Sequence, residues 1–322
     1  MKAVRIETHG GPEVLRLVEL PTPKPGPGQV LVGIEAVGVN FIDTYQRGGL
    51  YKLPLPAVLG QEGAGRVVSL GADVKTLKVG DRVAFAHVMG AYADSVVIAA
   101  DRLVPVPNGV TSRVAAAVLL QGMTVEYLVT DTFGLKPGHT CLIHAAAGGV
   151  GLLLIQVAKL KGATVIGTVS TPEKAQLARG AGADHVINYV EEDFEPAVRQ
   201  LTGGRGVQVV YDSVGKTTFA KSLNVLAPRG MLVTFGQSSG AVPPLDPLLL
   251  SQRGSLFLTR PVLGHYIATR DELLARANET LGWVADGLLK VRIDSEYPLA
   301  AVADAHRRLE SRQSAGKILL IP

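Results

Sequence analysis

The sequence predicts an α/β protein of two domains, in which a β-rich domain is interrupted by a doubly wound parallel sheet. Three features predict it. Short strands follow one another through the first third with no long helix between them. Strand and helix then alternate from Thr140 to Leu258. A mixed pattern returns from Thr269 to the end. At 322 residues the chain is also too long for one ordinary core.

Composition narrows the class. Apolar residues make up 47% and charged residues 19%, which fits a globular protein. The net charge is only +4 and basic residues are spread along the chain. The densest basic stretch, His306-Arg307-Arg308 with Arg312, shares a helical pattern with Glu310. It reads as a solvated helix face, so no nucleic-acid partner is expected. Cys141 is the one cysteine, which excludes disulfide frameworks and Cys-rich zinc sites within a single chain. No signal peptide is expected near Met1, and no stretch reaches the roughly 18 apolar residues of a membrane span. A reducing cytoplasm is the expected location.

The first elements are strands over Met1–Ile6, Gln29–Val37, Ala64–Leu70 and Asp81–Ala86. Pro21, Pro23, Pro25 and Pro27 make an extended connector, and Gly71 and Gly80-Asp81 mark turns. Such strands close into a small antiparallel barrel or sandwich. Helical patterns follow over Val114–Leu120 and Met123–Phe133. Then come strands at Thr140–His144, Thr164–Thr168, His185–Tyr189, Val207–Asp212, Met231–Phe235 and Ser255–Leu258. Between them lie helices: one with an apolar stripe Val150, Leu153, Leu154, Val157 and Ala158, ended by Gly162, and others near Glu195–Leu201 and Thr217–Leu226. Thr171-Pro172-Glu173 starts a helix, as does the capping box at Thr269-Arg270-Asp271-Glu272. A strand near Val291–Ile293, a helix over Ala300–Ser311 and a strand Lys317–Ile321 complete the chain. This tail is expected to pack back on the N-terminal domain, giving domains 1–123 with 264–322, and 124–263.

The stretch Cys141–Gly151 carries the chemistry. A strand enters it and a helix leaves it, and its glycines let the backbone approach a pyrophosphate at a helix N-terminus. It departs from G-x-G-x-x-G in one place, Ala146 for the first glycine. The βαβ context makes it a Rossmann dinucleotide site. An NAD site usually has a carboxylate after the second strand, yet this strand ends Gly167-Thr168-Val169-Ser170. Ser170 can donate to a 2′-phosphate and Lys174 supplies positive charge. Tyr189 adds a hydroxyl and a flat face for adenine. Charge-assisted bonds of about 1.5–3 kcal/mol each favour NADPH over NADH by roughly tenfold to a thousandfold. Glu173, beside Lys174, is the counter-signal.

At this point the residues resemble the zinc-less medium-chain dehydrogenases/reductases, and within them the NADPH:quinone oxidoreductases. The matching stretches run from Gly11-Pro12-Glu13-Val14-Leu15 and Asn40-Phe41-Ile42-Asp43-Thr44-Tyr45, through His144–Gly151 and Val210–Gly215, to Phe235–Gly240 and Thr259-Arg260-Pro261. The resemblance implies a GroES-like catalytic domain around a Rossmann domain, an active site in the cleft between them, and a homodimer joined through the cofactor domains. It places Asn40, Asp43 and Thr44 near the nicotinamide, and Tyr45 and Tyr51 in the acceptor pocket. Tyr127, Gly148, Gly149 and Val150 would contact the cofactor's middle, and Ser170, Lys174 and Tyr189 its adenosine phosphate. Ser213, Phe235, Gln237 and Ser238 would line the rest of the groove, with Pro261–Gly264 closing it. No metal is implied. The positions that hold zinc in metal-bearing relatives look like Asn40 and Gln61, neither a normal zinc ligand. His87 reads as a loop or core residue.

Without a metal to stabilise an alkoxide, alcohol oxidation is disfavoured. A quinone is already electrophilic, so catalysis reduces mostly to proximity and exclusion of water. Asn40 is expected to position or polarise the acceptor oxygen, with Tyr45 and Tyr51 stacking on the ring or bonding the forming oxyanion. Asp43 reads equally as a helix-start residue, Cys141 as an inert buried thiol, and His144 as packing. Reduction of activated C=C bonds in enones or alkenals is the alternative chemistry. A non-catalytic NADPH-binding sensor is the alternative of another kind.

Overall fold

A computed structural model describes all residues from Met1 to Pro322. The chain divides into two compact units, Met1–Met123 with Tyr266–Pro322, and Thr124–His265.

In the first unit the early elements are β1 (Lys2–Ile6), β2 (Arg16–Glu19), β3 (Gln29–Val39), the short helix α1 (Phe41–Arg47), β4 (Ala57–Val58), β5 (Glu62–Leu70), β6 (Arg82–Ala86), β7 (Ser95–Ala99) and β8 (Val104–Pro105). Helix α2 (Ser112–Tyr127) runs on into the second unit. There the chain alternates β9 (Thr140–Ile143), α3 (Gly149–Leu160), β10 (Thr164–Val169), α4 (Pro172–Gly180), β11 (His185–Asn188), α5 (Phe194–Leu201), β12 (Val207–Asp212), α6 (Phe219–Asn224), β13 (Leu226–Thr234), α7 (Leu248–Gln252) and β14 (Phe257–Thr259). After α8 (Leu263–Tyr266) come α9 (Arg270–Ala285), β15 (Ile293–Pro298), α10 (Val302–Glu310) and β16 (Lys317–Ile321).

The second unit's sheet has the order β11-β10-β9-β12-β13-β14, parallel throughout. The direction of winding reverses between β9 and β12, which is where a doubly wound sheet opens a crevice for a ligand. Its strands are nearly continuous runs of Val, Ile and Leu because helices cover both faces. Leu142, Ile166, Ile187, Val210 and Leu232 pack there with Phe194, Phe219 and Leu223 of the helices.

The first unit is built on a sheet of order β15-β16-β3-β5-β6-β8, with β7 also paired to β3, and a small sheet β2-β1-β4. The tail does return as expected: β16 runs antiparallel to β3, with Ile318 opposite Val39 and Leu320 opposite Val37. The core of Val32, Val37, Leu59, Phe85 and Tyr92 therefore also holds Val302, Ile318 and Leu320.

Several local expectations change. β2, β4, β7 and β8 are strands that the periodicity does not announce, two of them only two residues long. The separate helical patterns before and after Gln121 are one helix. With a final π turn at Leu128–Thr132, the helical stretch Ser112–Thr132 is long and apolar enough to cross a membrane by length and composition alone; 72% of its 18-residue apolar window is buried inside the protein, as in a core helix. The solvated face assigned to His306–Arg308 is also corrected. His306 faces inward and is fully buried, and Arg307 and Arg308 pair with Asp304 and Asp294.

Candidate functional site

In the second unit the glycine turn lies between β9 and α3. Gly148 is the N-cap of α3 and no side chain caps the helix, so its first amides are left for an anionic ligand. A Cβ on Gly151 would lie 2.4 Å from Ala145 O and 2.7 Å from Ala146 O, so only glycine lets the helix sit this close to the strand. Ala146 is accommodated by the neighbouring strand. A Cβ on Gly167 of β10 would lie 2.8 Å from the Ala146 methyl, and that strand has none.

The register of β10 and β11 brings Ser170 and Tyr189 side by side. Val169 is opposite Asn188, and Tyr189 N–H donates to Val169 O at 3.0 Å. Thr171 caps α4 through Lys174 N–H, with Pro172 in the first turn, as expected. Lys174 thus starts from the same corner as Ser170 and Tyr189. Glu173 is turned back on the cap. Its own backbone N–H and then the Thr171 hydroxyl hold its exposed carboxylate below the usual range.

Ser213, Phe235, Gln237 and Ser238 form one cluster after β12 and β13. Phe235 N–H donates to Asp212 O at 2.9 Å and Ser238 N–H to Ser213 O at 3.1 Å. Gly236 allows this, since a Cβ there would meet Ser213 O at 2.7 Å. Gln237 also lines a cavity of about 330 Å³ with Phe219, Thr234, Leu258, Thr259 and Arg260. Tyr127, expected at the cofactor's middle, retains only 2% of its surface.

Beneath the glycine turn lies a hub the sequence reading assigned to packing alone. His144 does pack edge-on against Phe194, but its nitrogens also lie 2.9 Å from Thr168 Oγ1 and 3.0 Å from Ser222 Oγ. Asp212 accepts the Ser222 and Thr218 hydroxyls and the amides of Val214 and Gly215. Ser222 donates to Asp212, so it accepts from His144 Nε2–H, and Thr168 donates to Nδ1. Burial pushes the imidazole down, which keeps it neutral in this role. The hub ties β9, β10, β12 and α6 together at their ligand-facing ends.

In the first unit three adjacent strands assemble a buried ion pair. The β16–β3 register sets Lys317 next to Asn40, and the β3–β5 register sets Glu62 next to Gly38. Lys317 Nζ donates to Glu62 Oε2 at 2.6 Å and to Asn40 Oδ1 at 2.7 Å. Asn40 Nδ2 donates to Glu62 Oε2 at 2.9 Å and Gly38 O at 3.1 Å, and Leu120 N–H donates to Glu62 Oε1 at 2.7 Å. Both Asn40 amide hydrogens are therefore used inside the protein. The expected polarising role toward an acceptor oxygen is corrected: Asn40 holds Glu62 and Lys317 instead.

Asp43 is corrected as well. It is fully buried, so its side chain does not reach a nicotinamide. It serves as a helix-start residue, Oδ2 accepting from Asn40 N–H at 2.9 Å and from the Tyr92 hydroxyl at 2.8 Å. Thr44 is nearly buried and its hydroxyl donates to Phe41 O. The two tyrosines do come together. Tyr45 and Tyr51 meet edge to face at 5.5 Å and 74°, Phe41 stands 6.1 Å from Tyr45, and Tyr51 is 39% exposed.

Comparison with known proteins places this arrangement. Residues 149–277 match the family model described as zinc-binding dehydrogenase, and residues 26–108 match the alcohol dehydrogenase GroES-like domain. A quinone oxidoreductase of Pseudomonas aeruginosa is 47% identical over 100% of this chain and 99% of its own. The crystal structure of Escherichia coli quinone oxidoreductase complexed with NADPH superposes with a TM-score of 0.98 at 47% identity, all of both chains being covered. A mycobacterial structure complexed with NADPH gives 0.97 at 48%, again over both whole chains. The chain belongs to the zinc-less quinone oxidoreductase family of medium-chain dehydrogenases/reductases. Its two folds are the GroES-like domain and the Rossmann domain of that family. For this member of the quinone oxidoreductases, the name of the zinc-binding model does not carry over to the donor set. Asn40 and Gln61 are amides, and the Glu62 carboxylate bonded to Asn40 is already paired with the Lys317 ammonium. No three His, Cys, Asp or Glu side chains come together in a way that could hold a metal ion.

Proposed function

We propose that this protein binds NADPH on its Rossmann unit and reduces small quinones with it, without a metal. One observation carries the cofactor choice: Ser170 and Tyr189 stand side by side at the end of β10 and β11 where an NAD site would present a carboxylate, with Lys174 rising from the same corner. Ser170 and Lys174 would bind the 2′-phosphate and Tyr189 the adenine. The uncapped start of α3, with Gly148, Gly149 and Val150, would bind the pyrophosphate. Ser213, Phe235, Gln237 and Ser238 would orient the nicotinamide half.

Bound NADPH supplies the hydride. The chain's own part is to receive the acceptor, and the aromatic group Phe41, Tyr45 and Tyr51 offers it flat apolar faces and two hydroxyls. Of the expected catalytic residues, Tyr45 and Tyr51 keep that role, as donors to the oxygen that gains charge. Asn40 becomes a support of the turn that leads into them.

We also assign the protein to the cytoplasm as a homodimer. Its one thiol is free and buried, and β14 ends the sheet with Phe257 and Leu258 exposed, an edge suited to a second copy. The deciding experiment is turnover of NADPH, compared with NADH, with 1,4-benzoquinone and 1,2-naphthoquinone. Quinone-dependent oxidation of NADPH and little of NADH is expected. Tight NADPH binding with no turnover on either acceptor would overturn the enzymatic reading.

A further inference from the structure

The first unit contains a run of hydrogen bonds whose direction is set at its far end. Arg47 has only donors. Its Nη1 faces His306 Nδ1 at 3.0 Å, and its Nη2 pairs with Glu310 Oε1 at 2.6 Å. His306 Nδ1 is therefore an acceptor, and the single ring hydrogen sits on Nε2. That hydrogen faces the Tyr92 oxygen at 2.8 Å. The phenolic hydrogen is then left to bond Asp43 Oδ2. Arg47, His306, Tyr92 and Asp43 thus form one donor-to-acceptor series, and each is at least nine-tenths buried.

The series begins and ends on α1. Arg47 is the last residue of that helix and Asp43 lies in its first turn, with α10 and the segment before β7 supplying the middle. A seven-residue helix does not hold its own shape in water. Tyr45 sits between the two clamped ends. We propose that Tyr92 and His306 are positioning residues for the reaction, fixing both ends of α1 and so the placement of Tyr45 toward the acceptor. The proposal rests on the role given to Tyr45 above.

The series also has a titratable end. Asp43 Oδ2 takes two hydrogens while Oδ1 has no hydrogen-bond partner, so a proton taken up by this carboxyl lodges on Oδ1. The groups facing Asp43 are the Tyr92 phenol, the Lys317 ammonium on β16 and the Glu62 carboxylate on β5, with His306 and Arg47 beyond the phenol. Burial outweighs the favourable partners and raises the Asp43 carboxyl to about 7. Burial, then Arg47, lowers His306 to about 3, so the ring stays neutral in its relay position. Hydrogen bonds to an ionised carboxylate are the stronger ones, so α1 is held more firmly above this transition than below it.

The test uses the full-length protein with NADPH and 1,4-benzoquinone. His306→Gln keeps one acceptor and one donor for the same two neighbours, whereas His306→Leu keeps bulk alone. Tyr92→Phe keeps the ring and removes one link. His306→Leu and Tyr92→Phe are expected to raise the quinone KM about fivefold or more, with NADPH Kd within about twofold and His306→Gln close to the parent. The limb of the kcat/KM profile near pH 7 should move upward in Tyr92→Phe, which loses a bond that favours the ionised carboxyl. The ¹⁵N shifts of His306 should report hydrogen on Nε2. Hydrogen on Nδ1, His306→Gln as impaired as His306→Leu, or an unchanged KM and limb in Tyr92→Phe would each overturn the proposal. Tyr45→Ala separates the two readings. An unchanged quinone KM there removes the role of Tyr45, while an affected Tyr45→Ala beside an unaffected Tyr92→Phe removes only the positioning.

Discussion

Lys317, from the last strand, places its ammonium 2.6 Å from Glu62 and 2.7 Å from Asn40, in a core where neither charge meets water. Removing one partner of such a pair leaves the other charge buried and uncompensated, a loss of about 3–5 kcal/mol. Lys317→Met should therefore destabilise the protein by that order in denaturant melts. Adding Glu62→Gln should recover part of the loss, and a strictly additive double variant would show that the two do not interact.

His306 and Asp43 act on stability in opposite directions with pH. A depressed His306 leaves the folded protein with fewer protons than the unfolded chain between about pH 3 and 6.5, so its contribution is lost as pH falls through that window. A raised Asp43 gives the folded protein an extra proton between about pH 4 and 7, so its contribution is lost as pH rises. The two largely cancel from about pH 4 to 6.5. The stability of the parent relative to His306→Gln should climb by about 1.4 kcal/mol per pH unit across that window and level off above it. A constant difference between the two in urea melts would contradict the buried neutral ring.

Lys174 is the most direct handle on cofactor choice. Lys174→Glu sets a negative charge toward the 2′-phosphate and should lower kcat/KM for NADPH by roughly tenfold to a thousandfold. The value for NADH should change by less than about twofold, because its ribose carries no phosphate. Parallel losses with both dinucleotides would move the phosphate site elsewhere.

Tyr51 is expected to act on the acceptor. Tyr51→Ala removes one half of the edge-to-face pair with Tyr45. The quinone KM should rise more than the NADPH KM in steady-state assays. Equal effects on both would reduce Tyr51 to a packing residue.

Cys141 should be chemically silent. Burial first, and then Asp184, raises its thiol to about 12, and the side chain is inaccessible. Iodoacetamide should label the protein only in denaturant, and NADPH oxidation should survive the treatment in buffer. Rapid modification of the folded protein would mean that β9 opens locally.

Much of the fold was legible in the sequence because its signals are local. The glycine turn, the apolar stripe of α3 and the two cap sequences at Thr171 and Thr269 each describe a few consecutive residues. The same holds for the corner after β10, where the absence of a carboxylate is read directly from Thr168-Val169-Ser170. What escaped depends on distant pairings. A lysine heading the apolar strand Lys317–Ile321 hinted at a buried charge, but its partners are 255 and 277 residues away. His306 looked solvated because Arg307 and Arg308 follow it, yet one helical face turns it inward toward Tyr92. Asn40 and Asp43 were placed at the reacting ring by resemblance; only the register of three strands shows that the Asn40 amide is held by Glu62 and Lys317, and only the packing of α1 shows that Asp43 is buried against Tyr92. β4 and β8 were missed because two-residue strands are too short for alternation to appear.

Ala146 and Gly167 share one methyl's worth of space between two strands. The turn carries a carbon that the first glycine of G-x-G-x-x-G would lack, and Gly167 leaves the room for it. Gly167→Ala alone brings two methyl carbons to 2.8 Å, whereas Ala146→Gly alone leaves a methyl-sized gap. Exchanging both together restores the fit, so the nucleotide fingerprint of this protein is written across two strands and is incomplete on either one.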